Sequence, residues 1–230
     1  MIRRLCVALV LALLASACAL SSDAPAPAAA VEAEEGFSPL FNGRDLTGWA
    51  YGPGGPSGEG YRVRPDKNGA VIYCTEHDGG NLFTEQQYDD FILRFEFKLT
   101  PAANNGIAIR SPMEGRITYD GIEIQVLDDT HEQHAHIRPA QHHGSVYDVV
   151  PAKPGHLKPV GEWNQEEIIA RGSRITVKLN GVTIVDKDLA TITNQRTLAK
   201  HPGIKRQTGH IGFLGHGAAV EFRNLRIKPL

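Results

Sequence analysis

Phe91-Ile92-Leu93-Arg94-Phe95-Glu96-Phe97-Lys98-Leu99 is the stretch that decides the fold class. Leu93, Phe95, Phe97 and Leu99 fall on one side of an extended chain, with Arg94, Glu96 and Lys98 on the other. A period of two is the mark of a strand with one buried face. The same period recurs on either side. Ile107-Ala108-Ile109-Arg110 alternates, and Gly121 to Val126 sends Ile122, Ile124 and Val126 one way. Glu167 to Arg171 reads as a strand. Arg174 to Leu179 and Val182 to Val185 flank Asn180-Gly181, two residues that accept the positive φ of a type I′ hairpin turn. Ile211 to Leu214 and Val220 to Ile227 supply two more strands. No long helical period is present, and Asp188 to Lys200 reads as a loop or one short helix. This pattern predicts an all-β, two-sheet antiparallel sandwich. One alternate set of side chains fills the space between the sheets, and the other faces out. If a sheet curves, its outer face becomes a groove suited to a carbohydrate.

Composition agrees with a folded domain. The 230 residues carry 24 Lys+Arg against 26 Asp+Glu, a formal charge of −2, and 41% are hydrophobic. That balance argues against disorder and against a nucleic-acid partner, which would need a basic face. The first residues read as a leader. Arg3 and Arg4 form a positive start, Leu5 to Leu14 is apolar, and Ala15-Ser16-Ala17 is a small-residue cleavage site. The expectation is a bacterial-type signal over residues 1–17. It leaves Cys18 first, placed for lipidation, although plain secretion would use the same bond. Residues 18–36, rich in Ala, Pro and Glu, read as a flexible tether. Residues 37–230 show no break in composition and read as one domain. With Cys6 removed and Cys18 lipidated, Cys74 remains unpaired, and a buried, inert thiol is expected. The protein is thus expected in the bacterial envelope, periplasmic or outer-membrane anchored, touching membrane only through its lipid.

Alternation puts Arg110, Glu123 and Gln125 on one outer face. A guanidinium, a carboxylate and an amide there could act on a ligand, or could be a solvated sheet face with an Arg–Glu pair. Five of the ten histidines lie within thirteen residues: His131, His134, His136, His142 and His143. Their spacing resembles metal-ligand spacing, yet a polar loop rich in His is the stronger reading. His142 and His143 stand out because Gly144-Ser145-Val146-Tyr147 follows as a strand start. His216 lies between Gly215 and Gly217, where small neighbours allow close approach. Trp49 and Trp163 could stack on sugars or fill the core. There is no nucleophile elbow, P-loop, dinucleotide fingerprint or EF-hand loop.

Taken together, several motifs resemble the 3-keto-disaccharide hydrolase domain family. They are Phe41-Asn42-Gly43-Arg44-Asp45-Leu46-Thr47-Gly48-Trp49, Asn104-Asn105-Gly106-Ile107 with Arg110, and Gly121 to Asp128. Further on come Gly144 to Tyr147, Lys158 to Asn164, Asn180-Gly181, Gly215-His216-Gly217 and Phe222 to Leu225. The resemblance runs from about Phe37 to Leu230. It implies a concanavalin A-like jelly roll and action on 3-keto glycosides. On that footing Glu123 is expected as the base, with His143 as an alternative base or acid. Arg110 and Gln125 would hold the keto oxygen and hydroxyls, and Lys158 and His216 would touch the sugar rim. Asn105, Asp128 and Tyr147 complete the expected binding set. No cofactor is required, although a divalent metal held by His and carboxylate groups could replace Arg110. Glu123 with Asp128 as a two-carboxylate glycosidase pair is a third mechanism. The rivals are a non-catalytic carbohydrate-binding module and an interaction module tethered by Cys18.

Overall fold

In the structure, a computed structural model, Phe91–Leu99 is one strand with alternating buried and half-buried residues. Residues 34–52, 60–67, 69–75 and 79–230 are described. The expected signal, Cys18 and the tether up to residue 33 lie outside them. Thirteen strands are described: β1 Ser38–Pro39, β2 Trp49–Tyr51, β3 Tyr61–Asp66, β4 Gly69–Cys74, β5 Gly80–Tyr88, β6 Phe91–Leu99, β7 Asn104–Ser111, β8 Ile122–Leu127, β9 Trp163–Arg171, β10 Arg174–Leu179, β11 Val182–Asp188, β12 Gly209–Gly215 and β13 Val220–Pro229. Two short helices are α1 Ile117–Asp120 and α2 Gln195–Lys200.

The strands form two antiparallel sheets. The larger has the order β11-β10-β9-β6-β13-β4-β3, with β1 also on β13; the smaller is β2-β5-β12-β7-β8. The β10–β11 hairpin turns at Asn180 (φ 49°) and Gly181 (φ 85°), with Leu179 opposite Val182, as the Asn-Gly pair predicts. Between the sheets, Leu93, Phe95, Phe97 and Leu99 meet Ile107, Ile109, Ile122, Ile124 and Val126 in one apolar cluster. Each such buried side chain contributes about 1.5–3 kcal/mol. Phe213 from the smaller sheet stacks on Phe222 of the larger at 4.1 Å and on Trp49 at 5.2 Å. Trp49 is therefore a core residue, with its indole N–H donating to the Leu40 carbonyl. Cys74 is free and buried, and burial pushes its thiol up to about 11.

The small sheet gains a further edge beyond β8. Val146 bridges Ile124, Tyr147 N–H donates to Glu123 O, and Gly144 N–H donates to Gln125 O. This register sets Tyr147 opposite Glu123 and Ser145 opposite Gln125, each pair on one face. On the other side, Glu123 faces Ala108 and Gln125 faces Gly106.

Candidate active site

A row of side chains crosses the outer face of the small sheet. Phe83 on β5 pairs with Gly212 on β12, Gly212 with Ala108 on β7, Ala108 with Glu123 on β8, and Glu123 stands opposite Tyr147. Phe83, Ala108, Ile117 and Leu214 form a separate apolar cluster with Met113 packed against it, outside the inter-sheet core. Glu123 is 3% exposed. It lies flat against β7: a Cβ at Gly106 would stand 2.2 Å from Glu123 Oε1. Only glycine leaves that space. Burial raises the Glu123 pKa to about 7, opposed by a hydrogen bond from Thr118 on α1. A carboxyl at that value can take a proton and return it near neutral pH.

Gln125 shares this face. Its Nε2 is 3.5 Å from Asn104 Oδ1, while its Oε1 is buried without a hydrogen bond. Buried amide oxygens are nearly always bonded, so the orphan oxygen marks a place for a hydroxyl or water. The Tyr147 hydroxyl accepts a bond from Gln141 Nε2 at 3.0 Å, which leaves its own proton free to donate.

The expected partnership of Arg110 with this face is corrected. His210 pairs with Ser111 and Gly212 with Ala108, so Ile109 and Arg110 both stand opposite Ile211. This is a β-bulge, with Arg110 at φ 47°. The extra residue breaks the alternation and sends Arg110 to the end of the sandwich. There it is 1% exposed and bound to Asp90 Oδ1 at 2.8 Å, the Asp89 carbonyl at 2.8 Å and the Gly172 carbonyl at 2.5 Å.

His143 also lies away from Glu123. Its ring packs on Phe97 at 5.0 Å, and its Nδ1 accepts from Leu127 N–H. Its Nε2 is 3.1 Å from Glu166 Oε2, with both side chains buried between the sheets. Asn105 points inward to the Tyr61 hydroxyl. Asp128 caps a turn, accepting from Ala102 N–H and from Thr130. The Lys158 ammonium donates to the Trp163 carbonyl, and His216 is exposed in the β12–β13 turn. None of these five contacts Glu123. The His-rich loop is tied locally: His134 Nδ1 donates to the Asp128 carbonyl, and His142 pairs with Asp129. Among the described residues no three His, Cys, Asp or Glu side chains gather to hold a metal. Trp163 lies under Arg223 at 3.8 Å, away from Glu123's row.

Sequence reading missed Thr118, which sits in a four-residue helix too short to show a period. It also missed Glu166, although the alternation of β9 pairs it with the inward Ile168 and Ala170. A depression of about 380 Å³ lies on the outer face of the large sheet, lined by Arg94, Glu96, Glu167, Lys178 and Arg226 among others. Its charges pair with one another, as in Arg94–Glu167 and Lys178–Glu167, and these partners hold Glu167 below the usual carboxylate range. Glu123, whose carboxyl burial raises to about 7, stands on the opposite sheet.

Residues 36–228 match the 3-keto-alpha-glucoside-1,2-lyase-like domain. The chain belongs to this family. It is similar to a 3-keto-disaccharide hydrolase of Bacteroides thetaiotaomicron, 26% identical over 85% of this chain and 79% of the relative. A solved structure from Parabacteroides distasonis, provisionally named a glycosyl hydrolase, is 25% identical, covering 85% of this chain and 94% of its own, with a TM-score of 0.69. A second from that organism, provisionally named likewise, is 24% identical over 84% of this chain and 99% of its own, also at 0.69, and supports the fold alone.

Proposed function

We propose that the protein cleaves 3-keto glycosides by elimination followed by hydration, with Glu123 as the base at C2. The observation that carries this reading is the buried Glu123 carboxyl, with its pKa raised to about 7, on an outer sheet face. Membership of the lyase-like family and similarity to a named 3-keto-disaccharide hydrolase support the substrate class.

A keto group at C3 acidifies the hydrogen on C2. Glu123 takes that proton, and the C–H electron pair becomes the C2=C3 bond of an enolate with charge on the C3 oxygen. The Tyr147 hydroxyl, free to donate, is suited to that oxygen, and Gln125 to a neighbouring hydroxyl. When the ketone reforms, the pair moves to C1=C2 and the C1–O bond breaks, the aglycone oxygen keeping the bond's electron pair and taking a proton from solvent. Water then adds its oxygen at C1 and releases one proton to solvent, and Glu123 returns its proton to C2. Arg110 has no part here, because its guanidinium is bound at the end of the sandwich. Export through lipidated Cys18 goes with this reading, since it would place the enzyme where glycosides arrive. Palmitate label that persists in Cys18→Ala would remove that part.

The test is incubation of the purified protein with a 3-keto glucoside, with and without chelator. Aglycone release by the wild type and its loss in Glu123→Gln are expected. Sugar binding without release would point to a carbohydrate-binding module.

A further inference from the structure

Tyr147 owes its place opposite Glu123 to a short piece of edge. One bridge, Val146 to Ile124, joins this edge to β8 before the chain turns back and Val150 pairs with Val146. Three backbone hydrogen bonds surround that bridge: Gly144 N–H to Gln125 O at 2.8 Å, Gln125 N–H to Ser145 O at 3.0 Å and Tyr147 N–H to Glu123 O at 2.9 Å. So short a pairing specifies its register weakly, and a slip of one residue turns every side chain to the other face. Such a slip would set Val146 or Asp148 opposite Glu123 and take the Tyr147 hydroxyl off the outer face.

His143, where the edge begins, supplies a second hold. Its side chain enters the space between the sheets. Leu127 N–H donates to its Nδ1 at 3.3 Å, so the ring carries its proton on Nε2. Nε2 lies 3.1 Å from Glu166 Oε2 on β9 of the large sheet, and the two side chains are 1% and 0% exposed. The His143 backbone N–H donates to both Asp129 carboxylate oxygens, at 3.0 and 3.3 Å. Gly144 follows at φ 75° and presses on β11, where a Cβ would stand 2.2 Å from Ile184 Cδ1. Two successive residues thus tie the edge to β8 and to the large sheet at once.

Stability alone does not account for this pair. Neither Glu166 oxygen nor His143 Nε2 makes a well-aligned hydrogen bond. A buried polar pair of this kind is commonly no more stable than apolar side chains of the same volume, and its best-attested use is to specify one register against its neighbours. A slipped edge would carry the ring away from Glu166 and leave two polar groups buried apart, which costs far more than the pair itself gains.

We propose that His143 and Glu166 lock the register of residues 144–147 and are thereby positioning residues for the Tyr147 hydroxyl. The use of that hydroxyl at the C3 oxygen rests on the elimination reading above; the lock does not.

Amide hydrogen exchange reads the lock without reference to turnover. The paired variant His143→Leu with Glu166→Met removes both polar groups at similar volume. It should melt within a few degrees of wild type and keep its β6 amides protected, while the Gly144 and Tyr147 amides exchange about ten-fold faster or more. Glu166→Met alone should speed the same two amides to a smaller extent, and decides the matter if the paired variant does not fold. Glu166→Gln keeps an acceptor for Nε2 and should exchange like wild type. On a 3-keto glucoside the paired variant should lose kcat by about 10²-fold, with KM within about three-fold. Adding Tyr147→Phe should then cost little more, because both changes remove one interaction. Wild-type exchange at Gly144 and Tyr147 in the folded variants would overturn the lock. So would equal loss of protection in β6, since the pair would then hold the core rather than the edge. Losses of kcat that multiply in the combined variant would overturn the positioning of Tyr147. A wild type without turnover would overturn the elimination reading, with the lock still decided by exchange.

Discussion

Replacing Glu123 by Gln should stabilise the protein in alkaline solution while abolishing turnover. The carboxyl's pKa moves from an ordinary 4.5 to about 7 on folding, chiefly because burial penalises its charged form. The folded state therefore holds a proton that the unfolded chain gives up between those values. The sign follows: stability from this group is greatest below pH 4.5, falls as pH rises toward 7, and is lowest above it. At about 1.4 kcal/mol per pH unit, the native state gives up about 3 kcal/mol by pH 8. Glutamine keeps the shape, still offers Thr118 a carbonyl oxygen and has no charge to desolvate. For a domain of this size 1 kcal/mol corresponds to about 2–4 °C, so Glu123→Gln should melt roughly 6–12 °C above wild type at pH 8. At pH 4.5 or below the two should nearly coincide. Thermal melts across this range are the assay, paired with aglycone release, which should fall about 10²–10⁴-fold. A variant that melts at or below wild type at pH 8 would refute the claim of a desolvated carboxyl.

Thr118→Val removes the hydrogen bond that lowers the Glu123 pKa, so the acid limb of kcat/KM should move to higher pH, with the plateau above pH 9 little changed. Gly106→Ala drives a methyl into the Glu123 carboxyl and should lower kcat by about 10²-fold, as displacement of a reacting group by an ångström does. Arg110→Ala leaves the Asp89 and Gly172 carbonyls without their guanidinium donor and Asp90 without its ion-pair partner, and should destabilise by about 3–5 kcal/mol in denaturant melts, while the folded fraction keeps wild-type kcat.

The strands were legible because alternation reports burial directly. Leu93, Phe95, Phe97 and Leu99 are inward as read, and Asn180-Gly181 makes the expected two-residue turn. Glu123 and Gln125 were legible for the same reason, as outward residues of β8 between inward isoleucines. Arg110 was not, because one bulged residue reverses every side chain beyond it, and a bulge has no composition of its own. His143 was misread because its loop adds an edge to β8, and pairing between segments some twenty residues apart leaves no local period. Tyr147 could be found only through a motif, and Thr118 not at all. Its helix, α1, ends against Gly203, whose backbone lies on Asp120 and Gly121, a contact between residues far apart in the chain.

Arg110 has a consequence for the lifetime of the fold. Its guanidinium reaches carbonyls 62 and 96 residues away, on turns that come together only once both sheets have closed. Bonds that close such long loops are expected to form late, after the transition state, and so to contribute little to the speed of folding. They must nonetheless break before the two layers separate. The bulge that takes Arg110 off the outer face should thus make it a kinetic latch, with Arg110→Ala speeding unfolding more than it slows folding in stopped-flow traces.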